Sequence, residues 1–122
     1  MAKTIMLVDD ELDLLKVTSF RLKRAGYEVV TAVDGQAALD LLKGNKPDLV
    51  LLDVHLPIID GYEVCKRMKE NEELKQIPVI FFSATSSAQK IEAKTKELNA
   101  QGYLIKPFEA ENLINIIKKL IG

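Results

Sequence analysis

The chain has a single cysteine, Cys65, and a single histidine, His55, so it holds neither an internal disulfide nor a Cys/His cluster with zinc spacing. It also lacks an excess of charge: 17 Lys and Arg stand against 18 Asp and Glu, for a net charge of −1. A domain that neutralises many phosphates needs a basic surplus, so direct nucleic-acid binding is not expected. No apolar run approaches the ~20 residues of a membrane-spanning helix. There is no G-x-G-x-x-G and no P-loop lysine motif. Met1-Ala2-Lys3-Thr4 leads straight into a strand pattern and not into a signal peptide. What is present is 122 residues, 48% apolar and 29% charged, which suits one domain with its own core, spanning 1–122. These features together suggest a cytoplasmic protein.

Short apolar runs alternate with amphipathic stretches. The runs are Ile5-Met6-Leu7-Val8, Val29-Val30-Thr31-Ala32, Leu49-Val50-Leu51-Leu52, Val79-Ile80-Phe81-Phe82 and Tyr103-Leu104-Ile105. Between them, helical spacing links Leu12, Leu15 and Leu22, then Ala38, Leu41 and Leu42, then Val64, Cys65 and Met68. Gly26 closes the first of these helices, and Asp34 is placed to cap the second. The fourth helix, between Ser86 and Leu98, has only a sparse apolar stripe of Ala88, Ile91 and Leu98. The last has the clearest stripe, with Leu113, Ile116, Ile117, Leu120 and Ile121. Continuous rather than alternating apolar strands predict a sheet covered on both faces. Five β-α repeats therefore give an α/β fold: a doubly wound, five-stranded parallel sheet with helices on both sides.

In open α/β sheets the site lies beyond the carboxyl ends of the strands. Here those ends deliver Asp9-Asp10-Glu11, Asp53, Ser83-Ala84 and Lys106-Pro107. Clustered carboxylates repel one another and raise each other's pKa, so they call for a cation. One or two carboxylates with waters and a phosphoryl group is how Mg²⁺ is usually held. Lys106 and the Ser83 hydroxyl add the charge and the donor needed on phosphoryl oxygens, and a carboxylate can attack phosphorus.

Four motifs carry a resemblance to a known family: Leu7-Val8-Asp9-Asp10-Glu11, Leu51-Leu52-Asp53 through Asp60-Gly61, Phe82-Ser83-Ala84, and Tyr103-Leu104-Ile105-Lys106-Pro107-Phe108. Over essentially its whole length the chain resembles the receiver domain of two-component response regulators, the CheY-like fold. The resemblance implies strand order 2-1-3-4-5. It implies that Asp53 is the phosphoacceptor and that Mg²⁺ is bound by Asp10, Asp53 and the backbone carbonyl of His55, with Asp9 acting through a water. It implies that Ser83, the Ala84 amide and Lys106 grip the phosphoryl oxygens, and that the Lys106-Pro107 bond is cis. Ser83 and Tyr103 match the family's switch residues, which couple phosphorylation to the face made by helix four, strand five and helix five.

The partners implied are a sensor histidine kinase or a histidine phosphotransfer protein as donor, and a downstream protein target. A phosphorylation-dependent dimer is left open, although Gly102 and Asn112 stand where dimerising receivers of winged-helix transcription factors are usually charged. Ser83 replaces the more frequent threonine, and Asn99 stands where glycine is usual. Against the family's commonest pattern, one extra residue separates Ser83 from Lys106. His55 and Thr85 occupy the variable positions that tune the phosphoryl lifetime. On this reading the chain is a switch that catalyses its own phosphorylation and hydrolysis, not an enzyme with an external substrate. The alternative is an adaptor of the same fold that is never phosphorylated. A flavodoxin-like nucleotide binder is disfavoured, because Asp9-Asp10-Glu11 would repel a phosphate there. A Mg²⁺-dependent phosphatase would need a general acid and a substrate pocket that the sequence does not reveal.

Overall fold

The five apolar runs pair side by side into one parallel sheet, in the order β2-β1-β3-β4-β5. The computed structural model describes residues 2–84 and 88–122. The elements are β1 (Thr4–Val8), α1 (Leu12–Arg24), β2 (Glu28–Ala32), α2 (Gly35–Gly44), β3 (Leu49–Asp53), α3 (Gly61–Lys69), β4 (Val79–Ala84), α4 (Ala88–Glu97), β5 (Gly102–Lys106) and α5 (Ala110–Ile121). This is the doubly wound arrangement expected from the apolar runs, with the strand order that the resemblance implies.

Successive strand residues point to opposite faces, so each strand feeds two cores. Met6, Val8, Val50, Leu52, Val79 and Phe81 pack with Ala38 and Leu42 of α2, Val64, Cys65 and Met68 of α3 and Ile91 of α4. Ile5, Leu7, Leu49, Leu51, Ile80 and Phe82 pack with Leu15 and Leu22 of α1 and with Leu113 and Ile117 of α5. Covered on both faces, β1, β3 and most of β4 are buried, whereas the edge strands β2 and β5 are only partly so.

Local chemistry sets the boundaries. The Asp34 carboxylate accepts from the Ala37 N–H at 2.7 Å, and the Asp60 carboxylate from the Glu63 N–H at 2.9 Å, capping α2 and α3. Gly26 (φ 100°) ends α1, and Asn99 (φ 57°) takes the left-handed turn ahead of β5 that asparagine tolerates. Two expectations shift. Leu12 is 61% exposed, because the first turn of α1 stands at the open edge of the sheet, where the core ends. In α4 the sparse stripe reduces to Ile91, which is fully buried, while Ala88 and Leu98 are half-buried. The expected start of that helix at Ser86, and Thr85, lie outside the described residues.

Candidate functional site

The carboxyl ends of the inner strands bring the expected residues together. Asp9, directly after β1, and Asp53, the last residue of β3, are both buried, and Asp10 beside them is exposed. Each of these three carboxylates offers an oxygen within 4.8 Å of the others. Asp9 is fixed by its own loop: its N–H donates to the Ala32 carbonyl at 3.1 Å, and its Oδ1 accepts from the Glu11 N–H at 2.9 Å. Asp53 is fixed similarly, with Oδ1 accepting from the His55 N–H at 3.0 Å. The chain then folds tightly over the end of β3. The Gly61 N–H donates to the Val54 carbonyl at 2.9 Å, and a Cβ at Gly61 would collide with the Asp53 carbonyl.

Lys106 reaches this cluster from β5, two strands away from Asp53. Neighbouring strands lie ~4.8 Å apart, so its side chain must cross the end of β4. It does so over the Phe82 ring, with Nζ 5.1 Å from the ring centroid. The ammonium then donates to Asp53 Oδ2 at 3.0 Å, Glu11 Oε1 at 3.1 Å and Asp9 Oδ2 at 3.5 Å. The Lys106–Pro107 peptide is cis, as the resemblance implies.

The electrostatics follow from burial and crowding. Burial, followed by the charge of and hydrogen bonding to Asp53, pushes Asp9 from 3.8 up to about 6, against the lowering effects of the Glu11 N–H and Lys106. Burial works against the Lys106 ammonium, but the hydrogen bond and charge of Asp53, with Glu11 and Asp9, outweigh it and hold its pKa above the ordinary value.

Whether these residues suit a divalent ion and a phosphoryl group can be tested on one atom. Ser83 Oγ is buried, and among the described residues it has no hydrogen-bond partner. A buried hydroxyl without a partner costs ~1–3 kcal/mol, so it needs a reason to be there. An oxygen-rich anion beside Asp53 would supply the missing partner. The carboxylate donor set is the kind that binds Mg²⁺. The residues therefore fit both groups.

Ser83 pairs in register with Ile105, and Ala84 with Lys106. Tyr103 is half-buried and packs on the core shared by α2, α3 and α4. His55 is exposed beside the site. Sequence reasoning missed two contributors. In the sequence Glu11 reads as a strand-end carboxylate, yet it binds Lys106. Phe82 enters the sequence reading as a strand residue and as part of the Phe82-Ser83-Ala84 motif, yet its ring lies beneath the lysine. Neither leaves a local sequence signal, since both relations depend on which strands become neighbours.

Cys65 is buried, and that burial pushes its thiol up to about 11, which marks it as packing and not chemistry. Among the described residues, no helix is long and apolar enough to cross a membrane.

Comparison with known proteins agrees with the geometry. The chain is 39% identical over 120 residues to the "Probable transcriptional regulator ycf27" of Cyanophora paradoxa, a match covering 98% of the chain but 48% of that protein. The chain thus spans about half the length of this relative. Among solved structures it is similar to the chemotaxis response regulator CheY4 of Vibrio cholerae, with a TM-score of 0.90, 30% identity and coverage of 98% and 99% of the two chains. It is also similar to the receiver domain of the sensor histidine kinase PA1611 of Pseudomonas aeruginosa, with a TM-score of 0.90, 28% identity and coverage of 100% and 99%. That structure has a magnesium ion coordinated in its active-site cleft. The response regulator receiver domain family matches residues 5–118, and with the fold and the acidic strand-end cluster this leads to one conclusion: the chain belongs to the receiver domain family of two-component signalling.

Proposed function

We propose that this chain is a phospho-accepting switch in which Asp53 receives a phosphoryl group from a phosphohistidine. The observation that carries the reading is the environment of Asp53: a buried carboxylate 3.0 Å from the Lys106 ammonium, beside two further carboxylates. The buried Ser83 hydroxyl, one residue beyond Asp53's register partner Phe82 on β4 and without a hydrogen-bond partner among the described residues, supports it. An oxygen of Asp53 bonds to phosphorus, the P–N bond of the phosphohistidine breaks, and the imidazole leaves with the electron pair. Lys106, the Ser83 hydroxyl and the Ala84 N–H take the phosphoryl oxygens, so the charge of the transition state meets groups already in place. Asp10, Asp53 and the His55 backbone carbonyl would hold Mg²⁺, with Asp9 acting through a water. The ion supplies positive charge to the phosphoryl oxygens.

The downstream effect starts at Ser83. Once its hydroxyl bonds a phosphoryl oxygen, the packing beside Tyr103 changes, and with it the face formed by α4, β5 and α5. That is a local charge event biasing a bistable element. The donor is a sensor histidine kinase or a histidine phosphotransfer protein, and the output is binding to a downstream protein or to a second copy of the chain. Val17 and Phe20 on α1, 51% and 60% exposed, give a protein donor an apolar surface to rest on. No external metabolite is turned over, and the reading places the domain in the cytoplasm without contact to nucleic acid or membrane.

The test is intact mass after incubation with Mg²⁺ and either acetyl phosphate or a phosphohistidine protein, for the wild type and Asp53→Ala. A gain of one phosphoryl group that requires Mg²⁺ and is absent from the variant is expected. If neither donor labels a wild type that still binds Mg²⁺, the chain is a non-phosphorylated adaptor.

A further inference from the structure

Among the described residues three carboxylates hold the Lys106 ammonium, and two of these belong to the buried cluster. The third, Glu11, has a side chain 64% exposed, against 2% and 4% for Asp9 and Asp53. Its own N–H is tied to Asp9 Oδ1 at 2.9 Å, so the backbone of the acidic loop places this side chain at the solvent side of the lysine. An exposed salt bridge of this kind contributes little to stability. Its position gives it another consequence. Any phosphoryl donor approaching Asp53 must bring its oxygens to Lys106, and so close to the Glu11 carboxylate.

We propose that Glu11 is a specificity-determining residue that disfavours free, small, anionic phosphoryl donors by placing a fixed negative charge beside Lys106 at the mouth of the site. The proposal rests on the phosphoacceptor reading of Asp53. Glu11 acts in two ways, both of the same sign. It repels the donor's charge, and it occupies a share of the ammonium that the donor needs. A protein donor offsets this repulsion with the contacts of its docking surface, whereas a free acyl phosphate has no such compensation. Glu11 thereby insulates the switch from small acyl phosphates in solution. With acetyl phosphate the step is bond formation between an Asp53 oxygen and phosphorus, with cleavage of the P–O bond to the acetyl group. Acetate leaves with the electron pair.

The size of the effect follows from Coulomb's law. A dianion ~7 Å from one charge in water is disfavoured roughly 7-fold, falling to about 2-fold at ~0.15 M salt. A monoanion feels about half of this on a logarithmic scale. The experiment is a time course of intact mass for the wild type, Glu11→Gln and Glu11→Lys with Mg²⁺ near neutral pH. It compares acetyl phosphate, a dianion, with phosphoramidate, a monoanion, at low and high salt. Glu11→Gln is expected to speed labelling by acetyl phosphate roughly 7-fold at low salt and by phosphoramidate about 2–3-fold, with both gains shrinking as salt is added. Glu11→Lys should extend the same trend.

An unchanged or slower Glu11→Gln variant would overturn the proposal, as would a gain equal for both donors and independent of salt, which would mark Glu11 as a structural partner of Lys106. If neither small donor labels any of the three proteins while a phosphohistidine donor does, this inference falls and the phosphoacceptor reading stands. If no donor labels them, both fall.

Discussion

Replacing Asp9 by asparagine should make the protein more stable while weakening its response to Mg²⁺. Asp9 is buried against Asp53, and its carboxyl is pushed from 3.8 to about 6. A folded-state pKa above the unfolded value means that the native state prefers the protonated acid. The stability this contributes is fully present below about pH 4 and is lost as pH rises through about pH 6. Above that, the folded protein carries an ionised Asp9 whose cost, at 1.36 kcal/mol per pKa unit, is about 3 kcal/mol.

Asparagine keeps the carbonyl that accepts from the Glu11 N–H and drops the charge. The attraction of Lys106, 3.5 Å away, is already contained in that raised value, so about 3 kcal/mol is the upper bound of the gain. The net expectation is about 1–3 kcal/mol at roughly pH 8 with chelator present, a rise in Tm of ~4–12 °C for a domain this size. At about pH 4, where the wild-type acid is mostly neutral, the difference should nearly vanish. Mg²⁺ stabilises a protein that binds it only when folded, so the wild type should gain with added ion and the variant should gain much less. Thermal melts of both proteins across pH, with and without Mg²⁺, decide the matter. A variant that melts below the wild type at pH 8 in chelator, or a difference that does not change with pH, would refute the account of Asp9 as a buried carboxylate that is costly to ionise.

Two further substitutions probe the same edge. Ser83→Ala removes a buried hydroxyl that has no partner among the described residues, so stability should stay level or rise by up to ~1 kcal/mol, while the rate of phosphoryl gain on Asp53 measured by intact mass falls; a loss of several kcal/mol in urea denaturation would mean that the hydroxyl is structural. Gly61→Ala drives a Cβ into the Asp53 carbonyl and against Val54, so overpacking should cost ~1–3 kcal/mol and slow phosphorylation together; unaltered denaturation and kinetics would show that the loop yields without moving Asp53.

Much of this protein is determined by the order of its residues alone. Five continuous apolar runs cannot each face water on one side, so they dictate a sheet covered on both faces. Because parallel strands share one direction, their carboxyl ends share one edge. The charged and hydroxyl residues that end β1, β3, β4 and β5 therefore had to collect there, and that is why Asp9, Asp10, Asp53, Ser83 and Lys106 were legible as a group. Asp34 and Asn99 were legible for a local reason, since each answers a backbone requirement within a few residues of itself.

Tertiary structure decided the rest. Lys106 and Glu11 lie 95 positions apart, and their contact exists only because β5 lies beside β4, β4 beside β3 and β3 beside β1. The bridge over Phe82 depends on strand spacing and on which face each residue takes, and neither is written at any one position. Leu12 fits the helical stripe but stands beyond the end of the sheet, where no core reaches it. Periodicity records which face a side chain takes. It does not record how far along that face the opposing surface extends, or which distant charge comes to lie beside it.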